Sequence, residues 1–121
     1  MEDKKKKLLI AEDNISNFKL LYFVLSKEYE IIHAVNGQEA VEKFKTDNPD
    51  LILMDIGMPV MDGNEATVEI RKISQTVPII GLTAYAYASD EQKGIESGMN
   101  KYLTKPVNTQ KLRECIKQFI G

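Results

Sequence analysis

Residues 51–55 read LILMD, four apolar side chains from Leu51 to Met54 and then Asp55. A short apolar run without polar alternation predicts a strand covered on both faces, as in a parallel sheet. The same grammar recurs outward in both directions. Leu8–Ala11 gives way to Glu12 and Asp13, and Ile31–Ala34 reads as a second strand. Val77–Leu82 stops at Thr83, with Pro78 confined to the strand's start, and Lys101–Leu103 leads to Lys105 and Pro106.

Helical spacing fills the intervals. Ile15, Phe18, Leu21, Tyr22 and Leu25 share one stripe. Asn36 with Glu39, and Asp62 with Glu65, carry an N-cap residue followed three positions later by an acid. Ala40, Val41 and Phe44 give the second helix its inner side before Asn48-Pro49 stops it. Ala66, Ile70 and Ile73 do so for the third. Ser89 and Gln92 suggest a capping box for a fourth helix ending at Gly98, and Asn108 opens a fifth that runs to about Phe119. Five βα units with short connections predict an α/β fold: a flavodoxin-like (βα)5, doubly wound, parallel five-stranded sheet of order 2-1-3-4-5, helices on both faces.

With 121 residues and 43% hydrophobic content, the chain is read as one domain over 1–121, with 1–6 as an N-terminal arm. The basic run from Lys4 to Lys7 fits a solvated arm, and a net charge of −2 argues neither for nucleic acid nor for an anionic membrane as partner. No apolar stretch approaches the roughly 20 residues of a membrane span, and no secretory leader is evident. The lone cysteine, Cys115, excludes an internal disulfide and fits the reducing cytoplasm. It shares a core stripe with Leu112, Ile116 and Phe119.

In an open parallel sheet, ligands sit at the carboxyl ends of the strands, beside the point where strand order reverses. That edge collects Glu12, Asp13, Asp55, Thr83 and Lys105. Carboxylates in contact repel, so their convergence calls for a divalent cation and a phosphoryl group. Asp55 is the candidate nucleophile, forming an acyl phosphate. An aspartate at a strand end could instead cap the next helix, but Asp62 is better placed for that. Mg2+, or Mn2+ in its place, takes few protein ligands: Asp13, Asp55 and the Gly57 backbone carbonyl directly, and Glu12 through water. Lys105 is the counter-charge, and Pro106 is the candidate cis peptide. Thr83 and the backbone amides after Asp55 and Thr83 are candidate donors to phosphoryl oxygens. His33, the only histidine, falls in the second strand and reads as structural, and Tyr102 is either an ordinary strand residue or one that swings toward a cavity near Thr83.

With AEDN at 11–14, LILMDIGMPVMDGNEAT at 51–67, PIIGLTAYA at 78–86 and GMNKYLTKP at 98–106, the chain resembles the receiver domain of two-component response regulators. The resemblance implies Mg2+-dependent transfer of a phosphoryl group to Asp55 from a phosphohistidine on a histidine kinase or histidine phosphotransfer domain. It also implies autodephosphorylation, catalysed by the chain itself without a kinase domain. A coupled switch through Thr83 and Tyr102 would alter the face of the fourth helix, fifth strand and last helix, with a homodimer through that face as a further expectation. Asn14, Asn17, NEAT and TAYA resemble receivers of hybrid sensor histidine kinases, whose parent protein can be membrane-anchored; a stand-alone regulator is the alternative. Glu12 stands where an aspartate is common, and Gly57 and Tyr85 occupy positions that tune access of hydrolytic water. The rivals are an aspartate-nucleophile phosphatase, which needs a second aspartate where Gly57 stands, a flavodoxin-like cofactor binder, and a degenerate receiver. Neither DNA binding nor membrane contact is expected of this domain.

Overall fold

The computed structural model of the chain describes residues 5–84 and 88–121, the backbone alone at 88–91. Its strands are β1 (Lys6–Ala11), β2 (Tyr29–Ala34), β3 (Leu51–Asp55), β4 (Ile79–Thr83) and β5 (Lys101–Thr104). The helices are α1 (Ile15–Leu25), α2 (Gly37–Asp47), α3 (Gly63–Arg71), α4 (Ala88–Ser97) and α5 (Thr109–Ile120). All strand pairs are parallel and the order is β2-β1-β3-β4-β5, as the alternation of elements predicts.

Because successive strand residues face opposite ways, each apolar run feeds two cores. Leu8, Ile10, Leu51, Leu53, Ile80 and Leu82 pack with Leu21 and Leu25 of α1 and Leu112, Cys115 and Ile116 of α5. Leu9, Ala11, Ile52, Met54 and Ile79 pack on the other face with Ala40 and Phe44 of α2 and Ala66 and Ile70 of α3. Each fully buried Leu or Ile contributes roughly 1.5–3 kcal/mol, which is why all-apolar strands suit a two-sided sheet.

Local chemistry sets the helix starts. Asn14, Asn36, Asp62 and Asn108 each accept the N–H three residues on, from Asn17, Glu39, Glu65 and Lys111 at 3.0, 2.7, 2.8 and 3.0 Å. Such a cap is worth about 1 kcal/mol. Asn48 ends α2 at φ 49°, and Gly98 follows α4 at φ +117°, a conformation that a Cβ would strain.

Several boundaries and faces differ from expectation. Lys6, assigned to the arm, pairs with Tyr29 inside β1, and residues 1–4 lie outside the described residues. β2 begins two residues early at Tyr29, while β4 begins at Ile79, just after the proline that cannot donate a ladder bond, and includes Thr83. Ile73 falls beyond α3 and is 50% exposed. Phe119 is also exposed, because the apolar arc of α5 narrows to Leu112, Cys115 and Ile116. On α1 only Leu21 and Leu25 are buried, leaving Ile15 and Tyr22 half in solvent. The capping box at Ser89 and the tuning position Tyr85 lie outside the described residues and side chains.

Candidate functional site

Strand order carries β1, β3 and β4 side by side, so Glu12, Asp55 and Thr83 emerge at adjacent strand ends. All three are buried, Glu12 at 0%, Asp55 at 5% and Thr83 at 3% exposure, whereas Asp13 is exposed. One carboxylate oxygen from each of Glu12, Asp13 and Asp55 lies within 4.8 Å of the others. They line a cleft of about 330 Å³ with Asn14, Asn17, Ile56, Gly57, Thr83, Ala84 and Lys105. Five residues spread over most of the chain thus share one opening.

Lys105 bridges the two buried acids. Its Nζ donates to Glu12 Oε1 at 2.9 Å and lies 3.1 Å from Asp55 Oδ2. The Lys105 N–H is bound to the Thr83 carbonyl at 2.6 Å, which fixes the residue to the end of β4, and the Lys105-Pro106 bond is cis, as the dipeptide suggested. The other oxygens are engaged locally: Asp55 Oδ1 accepts from Gly57 N–H at 3.2 Å and Glu12 Oε2 from Asn14 N–H at 3.2 Å.

The electrostatics follow from that crowding. Burial, and then the hydrogen-bonding Asp55 carboxyl, push Glu12 up to about 7, with Lys105 pulling the other way. Burial works against the Lys105 charge, but hydrogen bonds to Glu12 and Asp55 outweigh it and raise the ammonium pKa.

Two details refine the chemistry. Asp62 caps α3, so Asp55 is released from that duty and its carboxylate faces the cleft-lining groups. Of the amides after Asp55, Ile56 N–H is consumed by the sheet bond to Leu82 O at 3.0 Å, leaving Gly57 N–H as the one that reaches the carboxylate. Gly63 is required by closeness: a Cβ there would lie 2.3 Å from the Asp55 carbonyl oxygen, so only glycine lets α3 begin beside Asp55. No described atom lies within 4 Å of a Cβ built on Gly57, which leaves the cleft mouth open beside Asp55.

Tyr102 pairs with Gly81 in the β4–β5 register, and its half-buried ring lies over Gly81 and Gly94. Its hydroxyl is buried without a hydrogen-bond partner among the described residues. His33, read as structural, touches the loop after β1: its Nε2 lies 2.8 Å from the Glu12 carbonyl oxygen. Strand order 2-1-3 was the available signal, since it sets the end of β2 against the loop after β1. The remaining donors are all oxygens, two buried and one open to solvent, a set that suits Mg2+.

Known proteins agree with this geometry. The profile of the response regulator receiver domain matches residues 8–117. Hybrid signal transduction histidine kinase I of Dictyostelium discoideum is 42% identical over 92% of this chain, which spans 7% of that protein's length. The polar-differentiation response regulator DivK of Brucella anthropi is 35% identical over 96% of this chain and 97% of its own length. A crystal structure of the receiver domain of a Pseudomonas aeruginosa sensor histidine kinase, PA1611, has magnesium coordinated in its active-site cleft. It superposes with a TM-score of 0.90 at 36% identity, covering 97% of this chain and 98% of that one. With its strand order, its acid cleft and a family profile running through nearly every element, the chain belongs to the response regulator receiver domain family.

Proposed function

We propose that Asp55 is the phosphoacceptor of this receiver and that a phosphohistidine on a kinase or phosphotransfer partner is the donor. A carboxylate oxygen of Asp55 forms the P–O bond as the P–N bond breaks, the electron pair leaving on the donor imidazole nitrogen. Hydrolysis reverses the modification: water attacks phosphorus, the P–O bond breaks, and inorganic phosphate leaves a restored carboxylate. Bound Mg2+ would neutralise charge on the transferring oxygens. Asp13, Asp55 and the Gly57 carbonyl are the residues to hold it directly, with Glu12 acting through water. Lys105 neutralises Asp55 before transfer and meets phosphoryl oxygens after it, and the Thr83 hydroxyl supplies another donor. Thr83 and Tyr102 then relay the change toward the face of α4, β5 and α5.

The observation that carries this reading is Asp55 itself, buried at a strand end with an ammonium 3.1 Å away and two further acids in reach. A phosphatase reading lacks its second acid, since Gly57 stands there. Exposed apolar residues of α1, Leu20 at 57% and Phe23 at 76%, continue from the cleft wall at Asn17. We assign that ridge to the partner that must lay its phosphohistidine over the opening. Similarity to a hybrid kinase supports excision from such a protein, while coverage of DivK end to end supports a stand-alone regulator; the neighbouring coding sequence separates the two.

Mass spectrometry after treatment with acetyl phosphate and Mg2+ tests the central assignment. Wild-type protein should gain one phosphoryl group and Asp55→Asn none, with folding retained. Equal incorporation in the variant would move the acceptor elsewhere.

A further inference from the structure

His33 stands next to last in β2, in register with Ile10. A carbonyl oxygen can only accept, so the 2.8 Å contact with Glu12 O makes His33 Nε2 the donor. The Glu12 N–H in turn donates to Ala34 O at 2.9 Å. Both backbone groups of the first acid are therefore tied to the end of β2.

The imidazole is itself held. It stacks on Phe18 of α1 with ring centroids 3.6 Å apart and planes 9° from parallel. The His33 carbonyl accepts from Lys43 Nζ, which also pairs with Glu39 at 3.0 Å. Through this one residue, α1, α2 and β2 all bear on the loop after β1.

What the hydrogen bond fixes is the peptide joining Glu12 to Asp13. Asp13 is exposed, and its carboxylate has no hydrogen-bond or ion-pair partner among the described residues. Nothing at the side-chain end restrains it. The orientation of the preceding peptide therefore decides whether its oxygen stays with those of Glu12 and Asp55. We infer that His33 is a positioning residue of the metal site, donating from Nε2 to the Glu12 carbonyl so that Asp13 is aimed before the cation arrives. This rests on reading the three acids as the Mg2+ site.

The test is titration of the metal-free protein with Mg2+ alone, followed through backbone amide shifts of residues 12–14. His33→Phe keeps a ring against Phe18 but has no donor; His33→Gln restores an N–H donor. We expect His33→Phe to weaken Mg2+ binding about tenfold, the lower end of the loss when a group behind a metal ligand is removed. His33→Gln should stay within about threefold of wild type, and thermal stability should not follow that order. Equal affinity in wild type and His33→Phe, or equally weak binding in both variants, would overturn the inference. Absence of Mg2+ uptake by wild-type protein would instead overturn the metal reading beneath it. A measurement on unaltered protein guards against a variant that does not fold. His33 is the only histidine, so long-range ¹⁵N–¹H correlation reads its tautomer without ambiguity. Nε2–H is expected, and Nδ1–H with a bare Nε2 would refute the donor role.

Discussion

Glu12 has no solvent exposure and sits between an ammonium and another carboxyl. In the metal-free protein its proton is lost near about 7, against 4.5 for an unhindered glutamate. Between those values the folded chain holds a proton that the unfolded chain has released. Stability must then fall as pH rises. The contribution is fully present below about 4.5 and is gone once pH passes through 7. Its ceiling is about 3 kcal/mol, taking 1.36 kcal/mol for each pKa unit. Urea denaturation in EDTA at several pH values checks this. Glu12→Gln, which cannot titrate, should flatten the difference between pH 5 and 7.5 relative to wild type. A variant with the wild-type slope would place the raised carboxyl elsewhere.

At the scale of elements, α1 and the packing of β5 against β4 and α4 ask for different experiments. α1 keeps Leu20 and Phe23 in water while Leu21 and Leu25 are its buried residues. Phe23→Asp should therefore leave stability within about 0.5 kcal/mol, as surface changes do. Phosphotransfer from a protein phosphohistidine should slow at least about tenfold, while labelling by acetyl phosphate is unchanged, the cost of one lost interface anchor being about 1–2 kcal/mol. Equal slowing with both donors would remove α1 from the interface. Across the sheet, Gly81 and Gly94 leave the volume that the Tyr102 ring occupies. A Cβ on residue 81 would lie 2.5 Å from Met99 Sδ and 3.0 Å from the ring, so Gly81→Ala should drive the ring outward at a cost of about 1–3 kcal/mol. Loss of contacts between the Tyr102 ring and residue 94 in nuclear Overhauser spectra is the check; retained contacts with unchanged stability would show that Met99 yields instead.

These same elements explain what one sequence could and could not tell. Runs such as LILMD disclose their strands because burial on both faces forbids polar alternation, and strand ends disclose the acids because loops begin there. The caps were legible for the same local reason: Asn36 and Asp62 bond within three residues. Ile73, Phe119 and the outer half of α1 were misread because an apolar stripe does not reveal which partner covers it. His33 was missed because its bond to Glu12 depends on β2 lying beside β1, a relation between segments that periodicity along the chain does not encode.

At the scale of the whole molecule, two apolar cores clamp the sheet from both faces, while the cleft opens at its carboxyl edge. Packed interiors of this kind do not deform gradually, so a phosphoryl group on Asp55, as proposed, would act on the loops and side chains around the cleft rather than on the cores. A phosphoryl group brings strong acceptors worth roughly 1.5–3 kcal/mol for each charged hydrogen bond. On the proposed phosphorylation of Asp55, Lys105 would carry that gain to β4 and β5, since its ammonium meets Asp55 while its N–H holds Thr83 O. Lys105→Ala leaves two buried acids facing each other, but protonation of Glu12 relieves their repulsion. The variant should fold with stability lower by about 1–3 kcal/mol. It should still accept a phosphoryl group from acetyl phosphate and Mg2+, as intact mass will show. Amide shifts around Thr83 and Tyr102, which move on modification of wild-type protein, should remain near their unmodified positions. Wild-type shift changes in phosphorylated Lys105→Ala would mean that the phosphoryl group reaches β4 and β5 by a route other than this lysine.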